Sequence, residues 1–263
     1  MGTLTISERA RLGGLKRITL HGNPGTPLGR SKGGKKTIDF FRKNPSYAQT
    51  VGFVRRKEIK YPERSEKLAE IIGIILGDGA LPGNHQLTIS FNYETDNQYA
   101  SYICNLLKEL FSVNYYVHKR KDSNGGVIVV SSMNLINFLL TQGLLKGNKI
   151  KNQIDMPSWI KERLNYQIAC SRGLMDTDGG LYLHKYRSNS KFYEYPKLCF
   201  TSHSKPLLRS VHEVFSKLNF KVYLRGHHVS IYSLSEVKRY FREIGSHNPK
   251  HLLRFEKYFD RLN

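Results

Sequence analysis

Two aspartates followed by glycine, Asp78-Gly79 and Asp178-Gly179, stand 100 residues apart, each at the end of a predicted helix. A carboxylate at a helix C-terminus faces the negative end of the helix dipole, which costs about 0.3–1 kcal/mol. The left-handed conformation that ends many helices explains the glycines, but it does not require an aspartate before them. The repetition in register favours a chemical role, with a cation to offset the charge.

Small residues at helical spacing precede both aspartates: Gly73 and Gly77 in the first copy, Gly173 and Thr177 in the second. Residues four apart share a helix face, and small ones let two helix backbones approach closely. We therefore expect the two Asp-Gly ends to meet. Two carboxylates beside a polyanion repel it unless divalent cations lie between them, and hard oxygen ligands suit Mg²⁺. The pattern predicts metal-assisted phosphodiester cleavage.

The elements around the two motifs repeat as well. Apolar residues recur at helical spacing before each Asp-Gly pair, and alternating residues predict strands within 85–93, 115–131, 181–201 and 220–232. Amphipathic helices separate the strand pairs, and a further helix closes each copy. The unit αββαββα, written twice, predicts an α+β fold of antiparallel sheets whose halves pack about a pseudo-twofold axis.

Composition points to a folded, basic protein. The 263 residues include 42 Lys and Arg against 21 Asp and Glu, a net charge of +21, which favours a polyanionic partner. No apolar run is long enough for a membrane span and no signal peptide is apparent, so we expect a protein of a prokaryotic cytoplasm or an organelle, without a membrane partner. The three cysteines, Cys104, Cys170 and Cys199, are expected to be reduced core thiols.

Residues 1–60 are the most basic part of the chain, with 14 Lys and Arg against three acids. Turn formers are frequent there, and no helical or strand periodicity persists before Phe40. These features predict an extended N-terminal arm with at most one short helix. Within it Arg30, Lys32 and Lys35 are expected to contact DNA, with a solvated basic linker as the alternative.

Two stretches resemble a known motif. Leu68–Gly79 (LAEIIGIILGDG) and Ala169–Gly179 (ACSRGLMDTDG) resemble the two copies of the LAGLIDADG motif in monomeric homing endonucleases, and the order of elements is similar over about 65–260. The resemblance implies that the motif helices form the interface between halves and that two four-stranded sheets make a saddle over DNA. Accordingly, 1–60 is the arm, 61–160 the first half and 161–263 the second.

The resemblance also implies site residues and an activity. Asp78 and Asp178, with Gly77 and Thr177 beside them, are expected to bind two or three Mg²⁺ ions, for which Mn²⁺ or Ca²⁺ can substitute in binding. The implied activity is that of a monomeric, site-specific endonuclease that breaks both strands of a long double-stranded DNA target, leaving short 3′ overhangs. Asp176 is expected to be a structural carboxylate. An RNA maturase acting on intron RNA, or a DNA-binding regulator without cleavage, remains the alternative.

Two lysines occupy similar places after the aspartates. Lys149 follows Asp78 by 71 residues and Lys250 follows Asp178 by 72, in a region that resembles the place of the family's catalytic lysine. Cations there would stabilise the charge that develops on the phosphoryl group. Hydroxyls after the second strand of each half, on Thr95 and Ser204, are weaker candidates for positioning a water, with His203 as a competitor.

Strand alternation separates core residues from those expected to face DNA. The outer set mixes donors, acceptors and aromatic rings, which suits the base edges of a major groove. The outer residues are Thr88, Ser90, Asn92, His118 and Arg120 in the first half and Tyr182, His184, Tyr186, Lys197, Thr201, Tyr223, Arg225, His228 and Ser230 in the second. Phosphate contacts should give the affinity a steep salt dependence.

Overall fold

The computed structural model describes residues 5–23, 25–53, 56–121 and 123–259, and the side chain of Tyr186 lies outside the described part. The chain divides into two compact units, Met1–Arg55 and Arg56–Asn263. Among the described residues, no helix combines the length and apolar character needed to cross a membrane.

The first unit is helical, so the prediction of an extended arm is wrong. It contains α1 (Ile6–His21), α2 (Pro27–Lys43) and α3 (Pro45–Thr50). Local capping explains the first two helices. Thr5 and Glu8 form a capping box at the start of α1, and the Thr26 hydroxyl accepts from the amide of Gly29 at 3.0 Å at the start of α2. Neither helix buries a residue, so neither needs the apolar stripe on which periodicity depends.

The first half of the larger unit contains seven elements in the predicted order. They are α4 (Glu66–Gly77), β1 (Gly79–Ala80), β2 (Gln86–Asn92), α5 (Asn97–Phe111), β3 (Tyr116–Lys119), β4 (Gly125–Ser131) and α6 (Met133–Thr141). The four strands form one antiparallel sheet in the order β1-β2-β4-β3. The first strand has only two residues, because Pro82 follows it and lacks the N–H that would continue the ladder.

The second half repeats this order between two additional helices. Its elements are α7 (Ser158–Lys161), α8 (Leu164–Thr177), β5 (Gly179–Ser188), β6 (Lys191–Thr201), α9 (Lys205–Lys217), β7 (Val222–Arg225), β8 (His228–Ile231), α10 (Leu234–Glu243) and α11 (Pro249–Phe259). The sheet order, β5-β6-β8-β7, is that of the first half. The predicted α+β fold with two αββαββα halves is confirmed. The short α7 and the C-terminal α11 lie outside the predicted unit.

One hydrophobic core runs through both halves. It includes the buried faces of α4 and α8, represented by Ile72 and Leu174, and those of the amphipathic helices α5 and α9. Cys104 and Cys170 are buried in it as free thiols, as expected. The expectation for Cys199 is wrong: this free thiol is half-buried on the polar face of the second sheet, because it alternates with the buried Leu198 and Phe200.

Candidate active site

Helices α4 and α8 pack at a separation that only glycine permits. A Cβ on Gly73 would collide with the carbonyl oxygen of Cys170, and a Cβ on Gly173 would collide with the carbonyl oxygen of Glu70. The reciprocal placement of the two glycines follows the pseudo-twofold relation between the halves. The close packing brings the C-termini of both helices, with their Asp-Gly pairs, to one place.

Asp78 and Asp178 end their helices in the same way. Each amide N–H donates to the carbonyl oxygen four residues earlier, at 3.0 Å in both cases. Each backbone carbonyl accepts an N–H from the second strand of its own sheet, from Ser90 at 3.0 Å for Asp78 and from Thr201 at 3.2 Å for Asp178. The backbone around both carboxylates is thus fixed from the helix and from the sheet.

The environment opposes ionisation of both carboxylates. The pKa of Asp78 is raised to about 6, first by burial and then by the negative charge of Asp178, while Lys149 and Lys250 act in the opposite direction. Desolvation also raises the pKa of Asp178, against the charge of Lys149, although this side chain is more open to solvent than Asp78. Burial is thus the main cause of the raised pKa at both carboxylates, and the nearby lysines offset it only in part.

The two predicted lysines both lie near the acids, but in different contacts. The Lys149 Nζ donates to the carbonyl oxygen of Leu76 at 2.9 Å and to that of Gly77. Burial lowers the pKa of Lys149, while the charges of Asp178 and Asp78 act to raise it. Lys250 instead forms an ion pair with Asp96, with 2.7 Å between Nζ and Oδ1.

Asp96 is an acidic residue near the carboxylate pair that was not predicted from the sequence. It precedes α5 at the N-cap position, yet its side chain makes no capping hydrogen bond there, and its negative charge adds to the raised pKa of Asp78. In the second half the N-cap of α9 is Ser204, which is buried and donates its hydroxyl to the carbonyl oxygen of Ile154 at 2.5 Å. The expectation that Ser204 positions a water is therefore wrong. Thr95 is exposed, in the turn before α5.

The oxygen atoms at the helix ends fit a hard divalent cation. The two carboxylates supply negative charge, and Gly77 and Thr177 add backbone carbonyls at the helix ends. The Gly77 carbonyl already accepts from Lys149, which leaves it one further lone pair. Within the described ranges, no group of three or more His, Cys, Asp and Glu side chains could hold a metal. The remaining ligands would therefore be backbone, water or phosphate oxygens, which Mg²⁺ accepts readily.

Asp176 is buried and tied to the loop before α11. Its carboxylate accepts from the Ser246 hydroxyl at 2.5 Å and from the His247 amide at 2.8 Å, and its carbonyl accepts from the Asn248 side chain at 3.1 Å. Burial raises the pKa of Asp176 to about 7, although both hydrogen bonds lower it. The Lys250 amide in turn donates to Asn248 Oδ1 at 3.1 Å, so Asp176 holds the segment that carries Lys250.

A second polar cluster crosses between the motif helices. Glu70, buried in α4, forms an ion pair of 2.7 Å with Arg172 of α8. The same carboxylate accepts from the Tyr102 hydroxyl at 2.8 Å and lies 2.6 Å from His247 Nδ1. Sequence reasoning missed this cluster. The available signal was a charged residue beside the small and apolar residues of each motif, Glu70 in α4 and Arg172 in α8, since such a residue needs a partner when it is buried.

An open pocket of about 430 Å³ lies on the polar face of the second sheet, beside Asp178. Five residues predicted to face DNA line it: Tyr182, Thr201, Arg225, His228 and Ser230. Thr201 Oγ1 and His228 Nδ1 are 3.0 Å apart on paired strands. Cys199 and Tyr232, which were not predicted, line it as well. The pocket thus joins one carboxylate of the pair to a surface of donors, acceptors and rings.

The other predicted residues of this sheet fall into distinct environments. Ser230 lies on β8 between Cys199 and Tyr223, and its short side chain lines the pocket although it is itself largely buried. Lys197 Nζ lies over the ring of Tyr232, 4.6 Å from its centroid. His184 and Tyr223 are half-buried on the strands, and the side chain of Tyr186 lies outside the described part.

The first sheet offers a smaller polar face. Thr88 and Ser90 are half-buried, whereas Asn92, His118 and Arg120 are exposed. The Arg120 guanidinium donates to Ser90 Oγ at 3.3 Å, and Asn92 Oδ1 accepts from two amides of the following turn. A pocket of about 390 Å³ includes Asp78, Ser90, Asn92 and Asp96. In the separate helical unit, Arg30, Lys32 and Lys35 are exposed on α2.

The fold and this site define a class of protein: two αββαββα domains in tandem, with one carboxylate from each at their shared helix pair. A family model described as the LAGLIDADG DNA endonuclease family matches residues 69–164, and one described as a LAGLIDADG-like domain matches residues 165–245. The chain belongs to the LAGLIDADG DNA endonuclease family.

Solved structures are similar in fold at low sequence identity. The LAGLIDADG meganuclease I-AabMI bound to uncleaved DNA has a TM-score of 0.50 and 12% identity, covering 74% of this chain and 91% of that chain. I-DmoI in complex with DNA and Mn has a TM-score of 0.45 and 21% identity, covering 69% and 97%. The N-terminal LAGLIDADG domain of DUF199/WhiA has a TM-score of 0.45 and 15% identity, covering 70% and 85%. No curated protein sequence matches the chain.

Proposed function

We propose that the protein is a monomeric, site-specific DNA endonuclease that uses Mg²⁺ to break both strands of a long DNA target, leaving short 3′ overhangs. The observation that carries this proposal is the pairing of Asp78 and Asp178 at two symmetric helix ends, where burial and mutual repulsion raise the pKa of Asp78 to about 6. Family membership supports it. So does the similarity in fold to I-AabMI, which was solved bound to uncleaved DNA. I-DmoI was solved in complex with DNA and Mn or Ca.

The residues at the two helix ends have different roles in this proposal. Asp78 and Asp178 would hold the cations, with the carbonyl oxygens of Gly77 and Thr177 as further donors. Bound there, divalent ions supply charge stabilisation and an activated water for phosphodiester hydrolysis. Lys149 is held at the C-terminal end of α4, where its charge interacts with both carboxylates, and it would stabilise negative charge that develops on the phosphoryl group. The Asp96–Lys250 ion pair fixes a second ammonium near Asp78.

The two sheets supply the DNA surface in this proposal. Tyr182, Thr201, Arg225 and His228 surround the pocket beside Asp178, and Arg120 and Asn92 occupy the matching face of the first sheet. Arginine and asparagine read guanine and adenine edges in a major groove. The position of these side chains beside the carboxylates would join recognition of the sequence to the place of cleavage.

A cleavage selection on randomised and genomic DNA libraries tests the proposal. The full chain is incubated with Mg²⁺ and, separately, with EDTA, alongside Asp178→Asn and the control Glu109→Gln. Glu109 is exposed and pairs only with Lys67 among the described contacts, so the control removes one carboxylate charge far from the helix ends. We expect metal-dependent double-strand cuts at one long motif by the wild type and by the control, but not by Asp178→Asn.

Other outcomes would change the conclusion. Undiminished cutting by Asp178→Asn would refute the assignment of this carboxylate to the metals. Salt-sensitive binding without cuts under any condition would favour the regulator or the maturase, and binding to intron RNA would then separate those two.

A further inference from the structure

The N-terminal unit contains an open cationic cleft. Helices α1 and α2 line a space of about 1330 Å³, and none of the described residues around it is acidic. The cations that line it are Lys16 and Arg17 from α1 and Lys32, Lys35 and Lys36 from α2, with His21 beside them. Two helices that bury no residue thus gather five positive charges on one concave surface.

Glycines inside these helices are required neither by packing nor by backbone conformation. A Cβ on Gly13, Gly14 or Gly33, all of which line the cleft, would have no atom within 4 Å, and none of the three has a positive φ. Glycine within a helix costs about 0.5–1 kcal/mol relative to alanine. In α4 and α8 the glycines permit contact between the helices. In the cleft they form an open floor, the part of the lining at Gly13, Gly14 and Gly33 that has no side chains.

We propose that this cleft binds the sugar–phosphate backbone of duplex DNA flanking the cleavage target. The inference rests on the proposed function, because it takes the flanking duplex to be present when the larger unit holds its target. Five cations complement a row of phosphates, and a floor without side chains lets the backbone approach closely. Because both units belong to one chain, DNA held by the larger unit is present at high local concentration around the N-terminal unit. Even weak contacts with the cleft would therefore add to the affinity.

The lining favours a duplex over a single strand. Proteins that bind single-stranded nucleic acids stack exposed bases on aromatic side chains. Apart from the imidazole of His21, no described residue that lines the cleft carries a ring. The surface offers charge and close approach without a stacking platform, which suits a paired helix whose bases remain stacked on each other.

Charge removal inside and outside the cleft tests the inference. Binding of the full chain to a random-sequence duplex of about 40 bp is titrated in EDTA over a range of salt. The variant Lys32→Gln/Lys36→Gln removes two lining cations, and the control Arg11→Gln/Lys43→Gln removes two from the same helices outside the cleft. Each phosphate contact contributes a slope of about 0.9 and about a five-fold gain in affinity at 0.15 M salt.

The cleft variant should therefore bind about 30-fold more weakly at that salt, with the slope reduced by about 1.8, while the control changes far less. Equal losses for both variants would overturn the cleft as the binding surface. The same titration with single-stranded RNA of equal length identifies the occupant. A loss confined to RNA would overturn the assignment to duplex DNA.

Adjacent glycines provide a second, independent test. Gly33 lines the cleft and Gly34 does not, and a Cβ at either position would have no atom within 4 Å. We expect Gly33→Leu to weaken duplex binding and Gly34→Leu to leave it unchanged, with helical content retained in both by circular dichroism. Equal binding by the two variants would refute the role of the open floor. Failure of the proposed nuclease would appear separately, as the absence of Mg²⁺-dependent cuts by the wild type.

Discussion

Replacing Asp78 by asparagine should stabilise the metal-free protein while abolishing double-strand cleavage. The protein raises the pKa of this carboxyl from its usual 3.8 to about 6, so keeping it ionised costs about 3 kcal/mol of folding free energy. Asparagine is close in shape and carries no charge. In EDTA the variant should therefore unfold with a free energy higher by up to about 3 kcal/mol, or a Tm higher by about 6–12 °C.

The gain should depend on pH in a defined direction. Between 3.8 and about 6 the folded protein holds the Asp78 proton more tightly than the unfolded chain does, so wild-type stability falls as the pH rises through this window. Above pH 6 the full cost is present, and below 3.8 both states are protonated. The difference between Asp78→Asn and wild type should be largest at neutral pH and vanish near the acid end.

Urea denaturation at several pH values, with and without Mg²⁺, measures this directly. Magnesium should stabilise the wild type and have little effect on Asp78→Asn, because a ligand stabilises only the folded state that binds it. The control Glu109→Gln should follow the wild type. A variant no more stable than the wild type at neutral pH, or a difference that does not change with pH, would refute the electrostatic reasoning.

Three further outcomes can be checked on purified variants. Gly173→Ala should destabilise the larger unit by about 3 kcal/mol or more in urea, since the new Cβ collides with the Glu70 carbonyl, whereas Gly83→Ala, with open space around its Cβ, should stay within about 0.5 kcal/mol. Lys149→Met should lower the single-turnover cleavage rate by about 100-fold while the Kd for DNA rises much less. Asp176→Ala should lower the free energy of unfolding by about 2–4 kcal/mol, because the His247 amide loses its acceptor and the Ser246 hydroxyl keeps only its longer hydrogen bond, to the Asn248 carbonyl.

The motif helices were predictable because their sequence encodes contacts that are local or repeated. Asp78 and Asp178 stand in register, and small residues at helical spacing precede both, so the repeated pattern predicted that the two helix ends meet. The Glu70–Arg172 pair was not predictable in the same way. Its two residues lie 102 positions apart, and the geometry that joins them exists only once the helices have packed.

Alternation on the strands predicted exposure only in part. Leu198 and Phe200 are buried and Thr201 is exposed, as the period of two requires. Ser230 obeys the alternation and lines the pocket on the polar face, but its short side chain sits between larger residues on the paired strands and is itself largely buried. The pattern identifies the face of the sheet to which a residue belongs, and the neighbours decide whether it reaches solvent.

Glycine shows why the arm escaped prediction. Gly73 in α4 and Gly33 in α2 both lie within helices. Helix propensity is the same for both, so it does not show which glycine is needed for packing. The structure separates them by what a Cβ would meet: backbone of the opposite helix at Gly73, and nothing at Gly33. Hydrophobic periodicity identifies helices that bury one face against the rest of the protein. It does not identify helices that bury no face. In such segments the capping residues, as at Thr5 and Thr26, carry the signal instead.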